Sequence, residues 1–150
     1  MTREERLQTV AARRQKGLIV VLEDIHDPHN AAAIMRTCDA LGVQDVWLIF
    51  DTVEAWNPRR VGKSSSSSAN KWLTFRTFTS AAACAEALRE LGYVSMGAII
   101  DGAVEVGDAD FAGKDKVALW VGNEHAGLSS VARGVMDITV RFPMRGFVES

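Results

Sequence analysis

Apolar side chains recur along this chain in short continuous runs, separated by segments with helical spacing. The runs are Leu18 to Ile25, Asp45 to Phe50, Leu73 to Phe78, Val94 to Ile100, Val117 to Gly122 and Ile138 to Phe142, and each has the length of a strand. After the first run, Ala31, Ile34, Met35, Cys38 and Leu41 follow the i, i+3, i+4, i+7, i+10 spacing of one buried helical stripe. Ser80 to Leu91 repeats the pattern with Ala83, Ala87, Leu88 and Leu91, and stops at Gly92, a residue suited to the left-handed turn that ends helices. Leu128, Val131, Ala132, Val135 and Met136 form a third stripe. Strands that are apolar throughout, rather than alternating, are covered on both faces. The pattern therefore predicts an α/β domain with a mostly parallel six-stranded sheet and helices on both sides. Residues 2–16 predict an amphipathic helix with Leu7, Val10 and Ala11 on one side and arginines elsewhere, so the chain divides into a basic N-terminal helix over 1–16 and one domain over 17–150.

Composition narrows the class. A length of 150 residues suits a single core. The longest apolar runs, such as Leu18 to Leu22, are about five residues against the roughly twenty that a bilayer span needs. The N-terminus carries charge where a signal peptide needs an apolar stretch. Cys38 and Cys84 lie among alanines without metal-ligand spacing and read as reduced core thiols, which makes the cytoplasm the expected compartment.

The net charge of −2 hides an uneven distribution. Residues 1–16 carry +3, residues 17–54 carry −6, residues 55–85 carry +5 with no acid at all, and residues 86–150 carry −4. Two basic segments thus bracket an acidic one, and the second contains Trp56 and Trp72, side chains of the type that stacks on bases. Arg13, Arg14, Arg59, Arg60, Lys63 and Lys71 are the candidate RNA contacts, and Ser64 to Ser68 is expected to be a loop between basic flanks.

The glycine-rich nucleotide fingerprints fail. No G-x-G-x-x-G follows an apolar run, and Asn57 to Ser64 carries Asn57 where a phosphate loop needs its first glycine. His26, Asp27 and His29 are interrupted by Pro28, and His125 is far away in sequence, so no metal site is expected. Three segments carry more. In Val20 to Val43, Asp27 can cap a helix that Pro28 opens, with His29 and Asn30 in its first turn. A strand thereby delivers a polar helix start to the carboxyl edge of the sheet, where open α/β sheets place ligands. Arg36 shares the His29 face among Ala32, Ala33 and Ala40, free to reach a phosphate or, alternatively, paired with Asp39. In Val117 to Ser129 a buried strand breaks into Gly122, Asn123, Glu124 and Gly127, a loop that exposes backbone and brings a carboxylate to the same edge. Ile138 to Ser150 is a strand followed by Pro143 and Gly146.

These segments, in this order, resemble the three motifs of the SPOUT methyltransferases, specifically the SpoU/TrmH-type RNA ribose 2′-O-methyltransferases. Asn30, Arg36 and Gly42 match the first motif, Gly122, Asn123, Glu124 and Gly127 the second, and Pro143, Met144, Gly146 and Ser150 the start of the third. The Arg13-Arg14-Gln15 lead-in and the Lys71-Trp72 pair look most like the transfer-RNA members. The resemblance implies a knotted α/β fold, S-adenosylmethionine as methyl donor, an antiparallel homodimer and an RNA substrate, with a transfer-RNA guanosine as first expectation. In the family the third motif continues into the threaded part of the knot, whereas this sequence ends at Ser150, so the expectation is a chain lacking that segment. The implied catalytic residues are Arg36, Asn30, Glu124 and Ser150; the implied cofactor residues are Gly97, Ile99, Ile100, Gly122, Asn123, Glu124, Gly127, Phe142 and Met144. An arginine is a poor base at neutral pH. The expected role of Arg36 is therefore to clamp a phosphate and orient the hydroxyl, a phosphate oxygen or solvent taking the proton. The alternatives are a non-catalytic RNA-binding or cofactor-binding module, and ribosomal rather than transfer RNA as substrate.

Overall fold

All six apolar runs become strands in the computed structural model, which describes residues 1–61, 68–111 and 113–148. In chain order the strands are β1 (Gln15–Glu23), β2 (Val43–Ile49), β3 (Thr74–Phe78), β4 (Val94–Ala98), β5 (Val104–Glu105), β6 (Val117–Val121) and β7 (Ile138–Arg141). The sheet has seven strands rather than six, in the order β3-β2-β1-β6-β4-β7-β5. The addition, β5, is a two-residue edge strand too short to leave a pattern in the sequence. Every pairing between strands is parallel.

The continuous apolar character of β1 divides between two cores, as a strand's alternating sides require. Ile19 and Val21 join Trp47, Ile49, Ala118 and Trp120 under the helices α3 (Ala81–Glu90) and α4 (Ser130–Gly134), through Cys84, Leu88, Leu128 and Ala132. Val20 and Leu22 join Val46 and Leu48 on the opposite face, under α2 (Pro28–Ala40) through Ala31, Met35 and Cys38. Both cysteines are buried, and burial pushes the thiols up to about 11 for Cys38 and about 12 for Cys84.

The first and last helices are shorter than the sequence pattern predicts. The N-terminal helix α1 (Arg3–Ala12) stops before residue 16 because Arg13 caps it, and Gln15 already donates its N–H to the Gly42 carbonyl as β1 begins. None of its residues is buried. The third stripe yields only the five residues of α4, because Asp137 is drawn back to β4, where its carboxylate accepts the Ser95 N–H at 2.7 Å. Among the described residues no helix is long and apolar enough to cross a membrane. Most of the serine run expected to form a loop lies outside the described residues.

Candidate active site

Motif one folds as its residues dictate. Pro28 occupies the first helical position of α2, and Asp27 caps the helix, its side chain accepting the His29 N–H at 2.8 Å. The same helix start holds the carboxylate of Glu124. Oε1 accepts the His26 N–H at 3.0 Å, and Oε2 accepts the Asp27 N–H at 2.9 Å and the Asn30 carboxamide at 3.2 Å. Burial alone would raise the Glu124 pKa. The hydrogen bonds from the Asp27, Glu124 and His26 backbones and from the Asn30 side chain outweigh it and hold the group below its ordinary range.

Motif two is a locked turn. The Asn123 Oδ1 accepts the N–H groups of His125 and Ala126 at 2.9 and 3.0 Å, and its carboxamide donates to the Asp24 carbonyl at 2.7 Å. Asn123 and Gly127 also exchange backbone hydrogen bonds. Gly122 sits so close to the returning chain that a Cβ there would fall 2.2 Å from the Gly127 carbonyl carbon, so the turn admits no side chain at that position.

Two consecutive acids without a motif of their own close β1 and tie these parts together. Glu23, 2% exposed, accepts both the N–H and the hydroxyl of Ser129 at 2.7 Å, anchoring the start of α4. Asp24 takes a left-handed backbone conformation, φ 51°, and its carboxylate accepts the N–H groups of Asp51 and Thr52 and the Thr52 hydroxyl. A pair of carboxylates ending an apolar strand was the available signal, because buried carboxylates require partners.

The ends of β1, β4, β6 and β7 enclose a cavity of about 610 Å³, within the range of small-ligand sites. Of the expected cofactor residues, Ile99, Ile100, Gly122, Asn123, Glu124, Gly127, Phe142 and Met144 all line it, joined by Asn30, by His125 of the same turn and by the unforeseen Ile25, Ile34 and Arg133. Gly97 does not. It is buried against Met136 and Leu128, whose side chains lie 2.9 and 3.1 Å from where a Cβ would be, so its small size serves helix packing. Arg36 is exposed, and its side chain forms no hydrogen bond or ion pair with any described residue. The alternative pairing with Asp39 is not formed, since Asp39 is engaged by Arg14 at 2.6 Å. Arg36 also stands off the cavity: around α2 its direction differs by about 160° from that of Ile34 and by about 120° from that of Asn30, at ~100° per residue. Ser150 lies outside the described residues.

The candidate RNA residues fare unequally. Arg13, Arg59, Arg60 and Lys71 are exposed, Arg59 lying 5.2 Å over the Phe75 ring. Arg14 is a latch instead, 12% exposed, bonding the Asp39 side chain and the Asp39 carbonyl. Trp72 is 47% exposed, but Trp56 packs edge-on against Phe50 and donates to the Ile25 carbonyl, so it is not free to stack on a base. Lys63 lies outside the described residues. Among the described residues no group of three or more His, Cys, Asp or Glu side chains is placed to hold a metal.

Residues 17–150, from within β1 onward, match the SpoU rRNA Methylase family. The chain belongs to that family. A relative from Thermus thermophilus, described as a tRNA (guanosine(18)-2′-O)-methyltransferase, is 32% identical over 99% of this chain and 74% of its own. Among solved structures, the TrmH/SpoU tRNA modifying enzyme of A. aeolicus matches with a TM-score of 0.80 and 25% identity, over 98% of this chain and 74% of that one. The SpoU methyltransferase AviRb of Streptomyces viridochromogenes, in complex with the cofactor AdoMet, matches with a TM-score of 0.73 and 31% identity, over 91% of this chain and 52% of that one.

Proposed function

We propose that this protein transfers a methyl group from S-adenosylmethionine to the ribose 2′-hydroxyl of a transfer-RNA guanosine. The observation that carries this reading is the cavity at the sheet's carboxyl edge, built from all three motifs, with the Glu124 carboxylate locked against the start of α2. The cavity fits a nucleoside: Ile99, Ile100, Phe142 and Met144 give apolar walls, and the turn from Gly122 to Gly127 presents backbone rather than side chains. Those residues would hold the cofactor, which supplies a methyl group on a positively charged sulfur. Glu124 and Asn30 position the rim of the cavity, and the basic segments hold the RNA.

Arg36 contributes a fixed cation that grips a backbone phosphate and orients the adjoining ribose. Because Arg36 faces away from the cavity of its own chain, the reading includes an antiparallel homodimer in which it is offered to the partner's cavity. The cytoplasm is the compartment where transfer RNA is met. The non-catalytic alternative needs neither Arg36 nor Glu124, and both stand here. The test is methyl transfer to purified transfer and ribosomal RNA, read by nucleoside mass spectrometry. Wild-type protein should methylate a transfer-RNA guanosine, and Arg36→Ala should lower the rate by about two orders of magnitude or more with S-adenosylhomocysteine affinity retained. Arg36→Lys should recover little, because a point charge does not reproduce the guanidinium fork. Product on ribosomal RNA alone would overturn the substrate, and an Arg36→Ala variant at full rate would overturn its role.

A further inference from the structure

Methylation of a ribose hydroxyl requires that its proton leave, and the cavity wall offers few groups able to take it. Among the described residues lining the cavity, those that ionise are Glu124, His125 and Arg133. A guanidinium stays protonated, and Arg133 is further committed as a donor to the Leu128 carbonyl and to Asp101, each at 3.3 Å. Glu124 has both oxygens occupied by donors from the start of α2, and those bonds keep it ionised and weakly basic. His125 differs from both. Its backbone is pinned in the Asn123 turn, while its imidazole is exposed at the cavity wall and forms no hydrogen bond or ion pair with any described residue.

We propose that His125 is the general base of the reaction, accepting the 2′-hydroxyl proton from the RNA. This rests on the methyl-transfer reading above. A lone pair on the ribose O2′ forms the new bond to the methyl carbon, and the carbon–sulfur bond breaks with its electron pair passing to sulfur, which becomes a neutral thioether. The O2′ proton passes to an imidazole nitrogen of His125, giving an imidazolium that later releases it to water. A neutral imidazole suits this task because one ring nitrogen carries a free lone pair that accepts a proton directly. The charged and titratable groups on the elements that meet at this turn are Glu124 beside it in sequence, His26, Asp27 and His29 at the start of α2, and Arg133, paired with Asp101, on α4. Arg36 then orients the acceptor and need not lose a proton, and neither the phosphate nor solvent has to serve as the base.

The test has two arms, both on the whole protein. In the first, the rate of methyl transfer is followed against pH. Wild type should show an acid limb, and His125→Ala and His125→Gln should lose that limb together with about two orders of magnitude in rate. In the second, RNA affinity is measured with S-adenosylhomocysteine bound, using RNA that carries either the 2′-hydroxyl or a 2′-deoxy sugar at the target. Removing the hydroxyl should weaken binding to wild type severalfold and leave binding to His125→Ala unchanged, a coupling that a merely structural role would not produce. Retention of rate and acid limb by both variants, equal sensitivity of wild type and variant to the deoxy sugar, or loss of the limb from His29→Ala instead would each overturn the assignment while wild-type methylation leaves the methyl-transfer reading standing. A wild type that methylates no RNA overturns that reading and this inference with it.

Discussion

The Glu124 carboxylate ties motif two to the start of α2. Glu124 accepts hydrogen bonds from two backbone N–H groups and one carboxamide of the chain around the start of α2. Its pKa is depressed in the folded protein, so its contribution to stability is fully present above the ordinary carboxylate range and is lost only as pH falls through the depressed value. Hydrogen exchange should therefore show the His26 and Asp27 amides protected, relative to intrinsic rates, at neutral and mildly acid pH, with protection fading only below the ordinary range. In Glu124→Ala, which removes both acceptor oxygens, the two amides should exchange freely at every pH, and S-adenosylhomocysteine affinity should fall by roughly tenfold, the scale of one charged hydrogen bond. Unchanged protection in the variant would assign the ordering of the helix start to Asp27 alone.

At the scale of elements, the end of β1 is the junction. Glu23 reaches forward to α4 and Asp24 sideways to the chain after β2, and the left-handed backbone of Asp24, costing on the order of 1–2 kcal/mol, turns the chain between them. Glu23→Ala removes the partner of a backbone N–H and a hydroxyl, and urea unfolding should register a loss of about 2–4 kcal/mol. Glu23→Gln should lose less, because an amide oxygen still accepts the Ser129 N–H. Equal losses would mean that the charge, not the acceptor, is what matters. These ties explain how far the sequence could be read. The strands were legible because apolar runs of five or more residues leave few alternatives, and the start of α2 because Asp27 and Pro28 are local signals. The bond from Glu23 to Ser129 spans 106 positions and the latch from Arg14 to Asp39 spans 25; each depends on a fold already formed, and no local pattern announces either. The motif residues around the cavity were legible through the family resemblance, whereas the outward aim of Arg36 is a matter of helical phase relative to a wall that only the fold defines.

For the molecule as a whole, charge is distributed against the acidic average. Residues 55–85 hold five basic side chains and no acid, and among them Arg59 and Arg60 are exposed, while Arg76 lies over Trp47 and Phe78 at 5.0 and 4.8 Å. Reversing Arg59 and Arg60 to Glu should weaken RNA binding and flatten the slope of log affinity against log salt by roughly 0.7–0.9 for each phosphate no longer neutralised. An unchanged slope would move RNA recognition to α1, none of whose residues is buried. The strand order has a consequence of another kind, in time rather than in space. β1 lies between β2 and β6, so Leu18 is paired with Val117 at the middle of the sheet, and closing so long a loop costs entropy before any contact repays it. As the chain leaves the ribosome, the first three strands can associate early, but the central seam waits for β6, and with it the turn from Gly122 to Gly127. The cavity thus comes into being only after the strands on both sides of the seam, and a nascent chain cannot hold a ligand there until the turn from Gly122 to Gly127 and the lining residues Phe142 and Met144 have been made.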